Sequence, residues 1–149
     1  MPDIKTRPVC TADLPDLFTM VQALASHHGD TANLTMDALA RDVLDASWMV
    51  VIVATCDDVL GGYAALTPMA QLQFGVRGYD MHHLFVKRDL RGQGLGRMLL
   101  DACVTHAKAH HCRFVTVGTH PDNTAAQEFY KSAGFAQRPL SGPRFSAKW

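Results

Sequence analysis

The chain has 149 residues, 48% of them hydrophobic, and sets 14 basic against 14 acidic side chains for a formal charge of zero at pH 7. That length suits one domain, 1–149, with a full core, and the charge balance leaves no global field to draw the protein onto nucleic acid or an anionic membrane. No run approaches the roughly 20 apolar residues of a membrane helix, the N-terminus has no signal-peptide core, and Cys10, Cys56, Cys103 and Cys112 form no Cys-x-x-Cys pair, so a cytoplasmic protein without a disulfide framework or zinc ribbon is expected.

Ile4 to Val9 alternates apolar and polar residues as a short strand does, and Thr11-Ala12-Asp13 before Leu14 and Pro15 starts a helix. Its inward face is Leu14, Leu17, Phe18, Val21, Leu24 and Ala25, and His27-His28-Gly29-Asp30 ends it. Thr35 caps a second helix, with Leu39, Val43 and Leu44 inward, in a region made locally acidic by Asp30, Asp37, Asp42 and Asp45. Trp48 to Ala54 and Leu60 to Thr67 are β-prone runs joined as a hairpin across Asp57-Asp58, with Pro68 closing the second. Met69 to Gly78, with two glycines and several polar residues, reads as an irregular loop with Phe74 at its rim.

Met81 to Leu100 is the most informative stretch. Leu84-Phe85-Val86 has the content of a buried strand, and from Leu95 the apolar residues switch to helical spacing. Between them Gly92, Gly94 and Gly96 allow positive φ and close approach of an anion to the backbone. The first amides of the following helix, with the macrodipole behind them, suit a phosphate or pyrophosphate, and Arg91 and Arg97 flank them. A P-loop needs Lys-Ser/Thr after its second glycine, which is missing. A dinucleotide fingerprint needs glycine where Arg97 stands and an acid about 20 residues on, also missing. A glycine-rich turn that binds nothing is the remaining alternative to an anion site.

After the glycines, Leu95, Met98, Leu99, Ala102, Cys103 and Ala107 form a helical stripe that covers a sheet. His106, His110 and Cys112 at its end read as solvated surface rather than a metal site. Phe114 to Val117 is a strand, and Pro121 to Thr124 announces a last helix, with Thr124 and Gln127 spaced for a capping box and Gly134 placed for its C-terminus. Phe135 to Arg138 and Pro143 to Trp149 read as final, edge-like strands.

Arg91-Gly92-Gln93-Gly94-Leu95-Gly96 resembles the Gln/Arg-x-x-Gly-x-Gly/Ala signature of the GNAT superfamily of N-acetyltransferases. Asn123-x-x-Ala126-x-x-x-Tyr130-x-x-x-Gly134-Phe135 is similar to a later motif of the same family, and the order of elements matches it along the whole chain. The resemblance implies a mixed α/β fold: a strongly twisted sheet of about six to seven strands with about four helices. It implies acetyl-CoA as cofactor, its pyrophosphate on Arg91, Gly92, Gln93, Gly94, Leu95, Gly96 and Arg97, its pantetheine arm along Leu84, Phe85 and Val86, and its thioester beside Asn123, Ala126 and Tyr130. Tyr130 then serves as general acid to the sulfur, its alternative being an ordinary core aromatic.

Many members resembling this chain carry a carboxylate two residues before the Leu of Leu-Phe/Tyr-Val, where this sequence has His82. His82 is therefore the candidate base, with His83, or a structural role for both, left open. Strand alternation sends the two imidazoles to opposite faces. The expected reaction is acetyl transfer to a primary amine of a small molecule; the alternatives are a non-catalytic acyl-CoA-binding or partner-docking domain, and an enzyme acting on a protein or peptide amine. Leu-Ala-x-x-His before a Leu-Thr helix start faintly resembles the diamine and polyamine branch, and the family's habit of pairing through C-terminal strands adds a homodimer as an expectation.

Overall fold

The computed structural model describes residues 1–45, 48–139 and 142–149. They form two compact units, Met1–Gly118 and Thr119–Trp149. The first unit is built on a five-stranded sheet in the order β1-β2-β3-β4-β5, with β1 Ile4–Pro8, β2 Val50–Cys56, β3 Val59–Gln71, β4 Val76–Val86 and β5 Phe114–Val117. β1 to β4 run antiparallel to their neighbours, and β5 joins β4 in parallel.

Asp57 and Asp58, both at positive φ (51° and 65°), make the tight turn between β2 and β3, the geometry that matches the right-handed twist of the flanking strands. The next hairpin departs from expectation. β3 runs through Pro68 to Gln71, a 3-10 turn at Leu72–Phe74 closes on Gly75 at φ 63°, and β4 starts at Val76, so residues 69–78 are a strand hairpin rather than an irregular loop. Pro68 is tolerated because β2 pairs with β3 only as far as Leu66, leaving Pro68 on an edge where its missing N–H is not needed.

Helix α1 (Leu14–His27) and α2 (Met36–Ala40), continued by a π-helical turn at Arg41–Asp45, cover one face. Leu14, Leu17, Met20, Leu24 and Leu39 pack there against Val51, Val53, Tyr63, Ala65 and Phe85. Thr35 caps α2 by accepting the Ala38 amide. Helix α3 (Leu95–Ala109) covers the other face with Leu95, Leu99, Leu100, Cys103 and Ala107, all buried. Its close approach depends on Gly61 and Gly62 in β3: a Cβ at Gly61 would lie 2.7 Å from Leu90 and 2.8 Å from Leu95, and one at Gly62 would lie 2.6 Å from the Phe85 carbonyl. All four cysteines are free thiols. Among the described residues no helix is long and apolar enough to cross a membrane.

In the second unit, α4 (Thr124–Ser132) is capped by Asn123, whose Oδ1 accepts the Ala126 amide at 3.1 Å. Thr124 is thus the first helical residue rather than the cap, and the Gln127 side chain donates Nε2 to the Pro121 carbonyl instead of closing a capping box. Gly134 ends the helix at φ 91°. Neither stretch expected to form a last strand does so among the described residues, which leaves five strands instead of six to seven. Pro139 and Pro143 punctuate that segment and withhold the backbone donors a ladder needs.

Asp13 ties β1 to the start of α1. It is 6% exposed, receives Arg7 at 2.6 and 2.9 Å and the Cys10 amide at 2.8 Å, and these donors hold its carboxyl at about 2. The folded value lies below the ordinary 3.8, so this stabilisation is full above about pH 4 and is lost as pH falls through about 2. Asp13→Asn is expected to cost about 1–2 kcal/mol at neutral pH, discounted because Arg7 is half exposed. In paired thermal melts the gap from the parent should shrink between pH 4 and 2.

Candidate active site

The site is laid out along β4. Ala65 pairs with His83 but Leu66 pairs with Met81, so His82 is an extra residue, a bulge. The bulge overturns the expected alternation: the imidazoles of His82 and His83 do not part to opposite faces but stack, with centroids 4.1 Å apart and planes 15° apart. His83 lies on the α1 side, opposite Ala65, and its Nδ1 is 2.9 Å from the hydroxyl of Tyr63, which is 1% exposed. Burial, with help from His82 and His28, lowers the His83 pKa to about 4, and burial raises that of the Tyr63 phenol. His83 is therefore neutral at ordinary pH, while His82 is the exposed member. Two charged imidazoles at this separation would repel by roughly 4 kcal/mol at an effective dielectric near 20.

The parallel ladder between β4 and β5 ends at the same place. It covers Gly78 to Met81 against Phe114 to Val117, where β5 ends. From there Leu84, Phe85 and Val86 keep their bonds to β3, and among the described residues no strand pairs with their other edge. Phe85 is buried under α1, so only its backbone is available to a ligand. The free edge leads through a 3-10 turn at Arg88–Leu90 to the glycines.

Gly92 (φ 80°) and Gly94 (φ 92°) take the left-handed conformations that their lack of Cβ permits. Gly94 is the N-cap of α3 and offers no side chain to it, and the first helical bond runs from the Met98 amide to the Gly94 carbonyl. The amides of Leu95, Gly96 and Arg97 therefore have no intrahelical acceptor. Leu95 is 1% exposed, so its side chain is core and only its amide is open to a ligand. Gln93 is exposed. Arg91 donates Nε to the Val86 carbonyl at 3.1 Å, with its guanidinium 6.0 Å from the Phe85 ring centre; it forms no ion pair among the described residues. Arg97 turns to Asp101 at 3.1 Å.

Structure thus brings together Leu84, Phe85, Val86, Arg91, Gly92, Gln93, Gly94, Leu95, Gly96, Arg97 and His82 along one continuous run. Asn123, Ala126 and Tyr130 lie together on α4 of the second unit, where Tyr130 is half-buried and packs on Phe129 and Phe135 at 5.2 and 5.9 Å between ring centres. His106, read above as solvated surface, is instead half-buried, approaches the Tyr79 hydroxyl at 3.4 Å and stacks on His110. A groove of about 520 Å³ between α3 and β1–β2, lined by residues such as Arg7, Ile52 and Met98, opens on the α3 side, the face opposite His83. Residues missed in the sequence are Tyr63, Asp80, Thr116 and the Gly61-Gly62 pair; of these only the two glycines inside a strand run carried a signal, that of close backbone approach.

Residues 18–135 match the model of the acetyltransferase (GNAT) family. The chain is 32% identical over 100 residues to the peptidyl-lysine N-acetyltransferase YjaB of Salmonella typhimurium, covering 67% of this chain and 58% of that one. It is 31% identical over 153 residues to an L-methionine sulfoximine/L-methionine sulfone acetyltransferase of Pseudomonas aeruginosa, covering 96% and 87%. For several other curated relatives the chain spans less than two thirds of their length, 27% of one and 58% of another. Among solved structures, a probable acetyltransferase superposes with a TM-score of 0.87 at 20% identity over 97% of this chain and 98% of that one. AAC(6')-Iy in complex with the bisubstrate analog CoA-S-monomethyl-acetylneamine superposes with a TM-score of 0.80 at 19% identity, over 97% of this chain and 99% of that one.

The His83 environment makes a direct prediction. In an NMR titration its imidazole resonances should move near pH 4 rather than near the ordinary 6.5, remaining in the neutral form at pH 6. Tyr63→Phe should cost about 1 kcal/mol in denaturant melts by removing the hydroxyl from Nδ1.

Proposed function

From the fact that this chain belongs to the GNAT family of acetyltransferases, we propose that it moves acetyl from acetyl-CoA to a primary amine of a small molecule by direct attack on the thioester. The observation that carries the reading is the continuity of the free β4 edge with the uncapped N-terminus of α3. The first can exchange strand-like amide hydrogen bonds with a ligand, and the second can donate its free amides to a diphosphate.

The residues present fit such a carrier: glycines that leave room for it, outward amides, and an arginine without an ion pair among the described residues. Amides of Leu95, Gly96 and Arg97 hold the diphosphate, with Arg91 adding charge-assisted bonds. Backbone groups of Leu84 and Val86 align the pantetheine arm as an added strand would. When bound, the carrier supplies an already activated acyl group, so the protein's task is mainly positioning. A main-chain N–H of the bulged segment is the oxyanion donor, a fixed dipole needing little reorganisation.

His82 takes the proton from the acceptor ammonium and releases it to water. His83, held neutral against Tyr63, braces the accepting ring and adds no competing charge. The Tyr130 hydroxyl donates to the departing sulfur. A small-molecule acceptor is preferred because the relative matched over 96% of this chain is named for free amino-acid derivatives. The peptidyl-lysine relative supports the second reading, a protein amine.

Thiol release against an amine panel tests the proposal. Tyr130→Phe should lower kcat by about 10²-fold, the lower range for general acid–base catalysis, with cofactor affinity retained. His82→Ala should lower kcat comparably. No acceptor-dependent release from a chain that binds the cofactor tightly would contradict it.

A further inference from the structure

The phenol of Tyr63 has one hydrogen-bond partner among the described residues, Nδ1 of His83 at 2.9 Å. Tyr63 is 1% exposed and lies in the core with Leu17, Met20 and Phe85, and burial raises its pKa, so it keeps its proton at ordinary pH. A buried O–H left without an acceptor is costly. Nδ1 is the acceptor within reach, which requires that nitrogen to be bare. His83 is therefore the neutral tautomer with its proton on Nε2. A proton added to Nδ1 would leave the phenol without an acceptor, in keeping with the lowered pKa of the ring.

The Nε2–H group is still unused. The side chain of His83 bonds through Nδ1 alone among the described residues, and no buried side-chain nitrogen or oxygen of those residues lacks a partner. Nε2 is therefore open to a ligand, beside His82, whose ring centre is 4.1 Å away. An N–H that is uncharged and already carries its proton selects an oxygen and offers nothing to a second ammonium. Its surroundings decide the charge of that oxygen. His83 and Asp80 share the α1-side face, since their β3 partners Ala65 and Thr67 share one. Asp80 accepts the Thr116 hydroxyl at 2.7 Å and has no cationic partner among the described residues. The ionisable groups that act on the His83 ring are His82 and His28, neither a permanent cation. A carboxylate on the acceptor would meet an acid with no fixed cation to balance it, so an uncharged oxygen fits.

We propose that His83, its tautomer fixed by Tyr63, donates Nε2–H to an uncharged oxygen of the acceptor, so that the enzyme prefers amines with a hydroxyl or an amide carbonyl on the neighbouring carbon. The amine meets His82 while the oxygen meets His83, and a nitrogen and an oxygen on adjacent carbons match two rings 4.1 Å apart. His83 is then a specificity-determining residue, and Tyr63 is a positioning residue that acts through it. Such an acceptor differs from a diamine, whose second nitrogen is a charged donor, and from a free amino acid, whose carboxylate is an anion. This role presupposes the acetyl transfer to a small-molecule amine proposed above.

Heteronuclear NMR of the wild-type His83 ring at neutral pH should show Nδ1 bare and Nε2 protonated, and ethanolamine added to the protein saturated with CoA should shift the Nε2 signal. Calorimetry on the same complex and thiol-release kinetics then compare ethanolamine and glycinamide with n-propylamine and glycine in wild type, His83→Asn and His83→Gln. Wild type should favour the first two; preference for one of them supports the assignment and names the oxygen as hydroxyl or carbonyl. His83→Asn keeps an acceptor for the phenol but has no distal N–H. It should raise Kd and KM for the oxygen-bearing amines by about 3- to 10-fold more than for n-propylamine, the range for one uncharged hydrogen bond. His83→Gln, whose amide reaches the Nε2 position, should restore most of that difference. A protonated Nδ1 in wild type, tighter binding of glycine, or transfer that His83→Asn weakens equally for every amine would overturn the assignment and leave the acetyltransferase reading intact. Thiol release that no acceptor stimulates would remove that reading instead, while NMR and calorimetry would still decide the role of His83.

Discussion

One extra residue in β4 organises the first unit. Because His82 has no partner on β3, the side-chain alternation of β4 resets there, and the imidazoles of His82 and His83 stack. A bulge also bends and twists its strand, and it falls where the parallel pairing of β4 with β5 stops at Met81 and Val117. Everything downstream depends on the free edge this leaves on β4. A β4 that stayed regular and fully paired would present no edge to a ligand, and one imidazole would face α3.

The second constraint is the close seat of α3 on β3. Gly61 and Gly62 let Leu90, Leu95 and Leu99 lie directly on the strand backbone, which sets the N-terminus of α3 just beyond the end of β4. Gly92 and Gly94 then turn the chain through left-handed conformations and leave the first amides of the helix without a cap. The glycines thus divide into two that permit packing and two that turn the chain into α3. Buried leucines at 95, 99 and 100 hold the helix while its amides stay available.

What was legible in the sequence was local. The Asp-Asp turn, the Thr35 cap, the glycine loop and the strand at Phe114 to Val117 each depend on neighbours within a few residues, so composition and spacing sufficed. Met69 to Gly78 misled because Gly75 and Pro68 signal breaks, yet both are compatible with a hairpin: one sits at its turn and the other on an unpaired edge. The stacking of His82 on His83 was not legible, since the bulge is a property of the β3–β4 register and has no local signature. The Thr116 bond to Asp80 spans 36 residues, and the Tyr63 bond to His83 spans 20; no pattern on one strand announces its partner on another.

The central claim is that the free edge of β4 and the opening amides of α3 together hold one elongated thioester carrier. Amide hydrogen exchange with and without CoA measures this residue by residue. The account predicts slowed exchange at Leu84 and Val86 and at Leu95, Gly96 and Arg97 in a single saturable transition, with the β1–β2 amides unchanged. Protection confined to other elements, or protection of the helix amides with β4 unaffected at saturation, would contradict it.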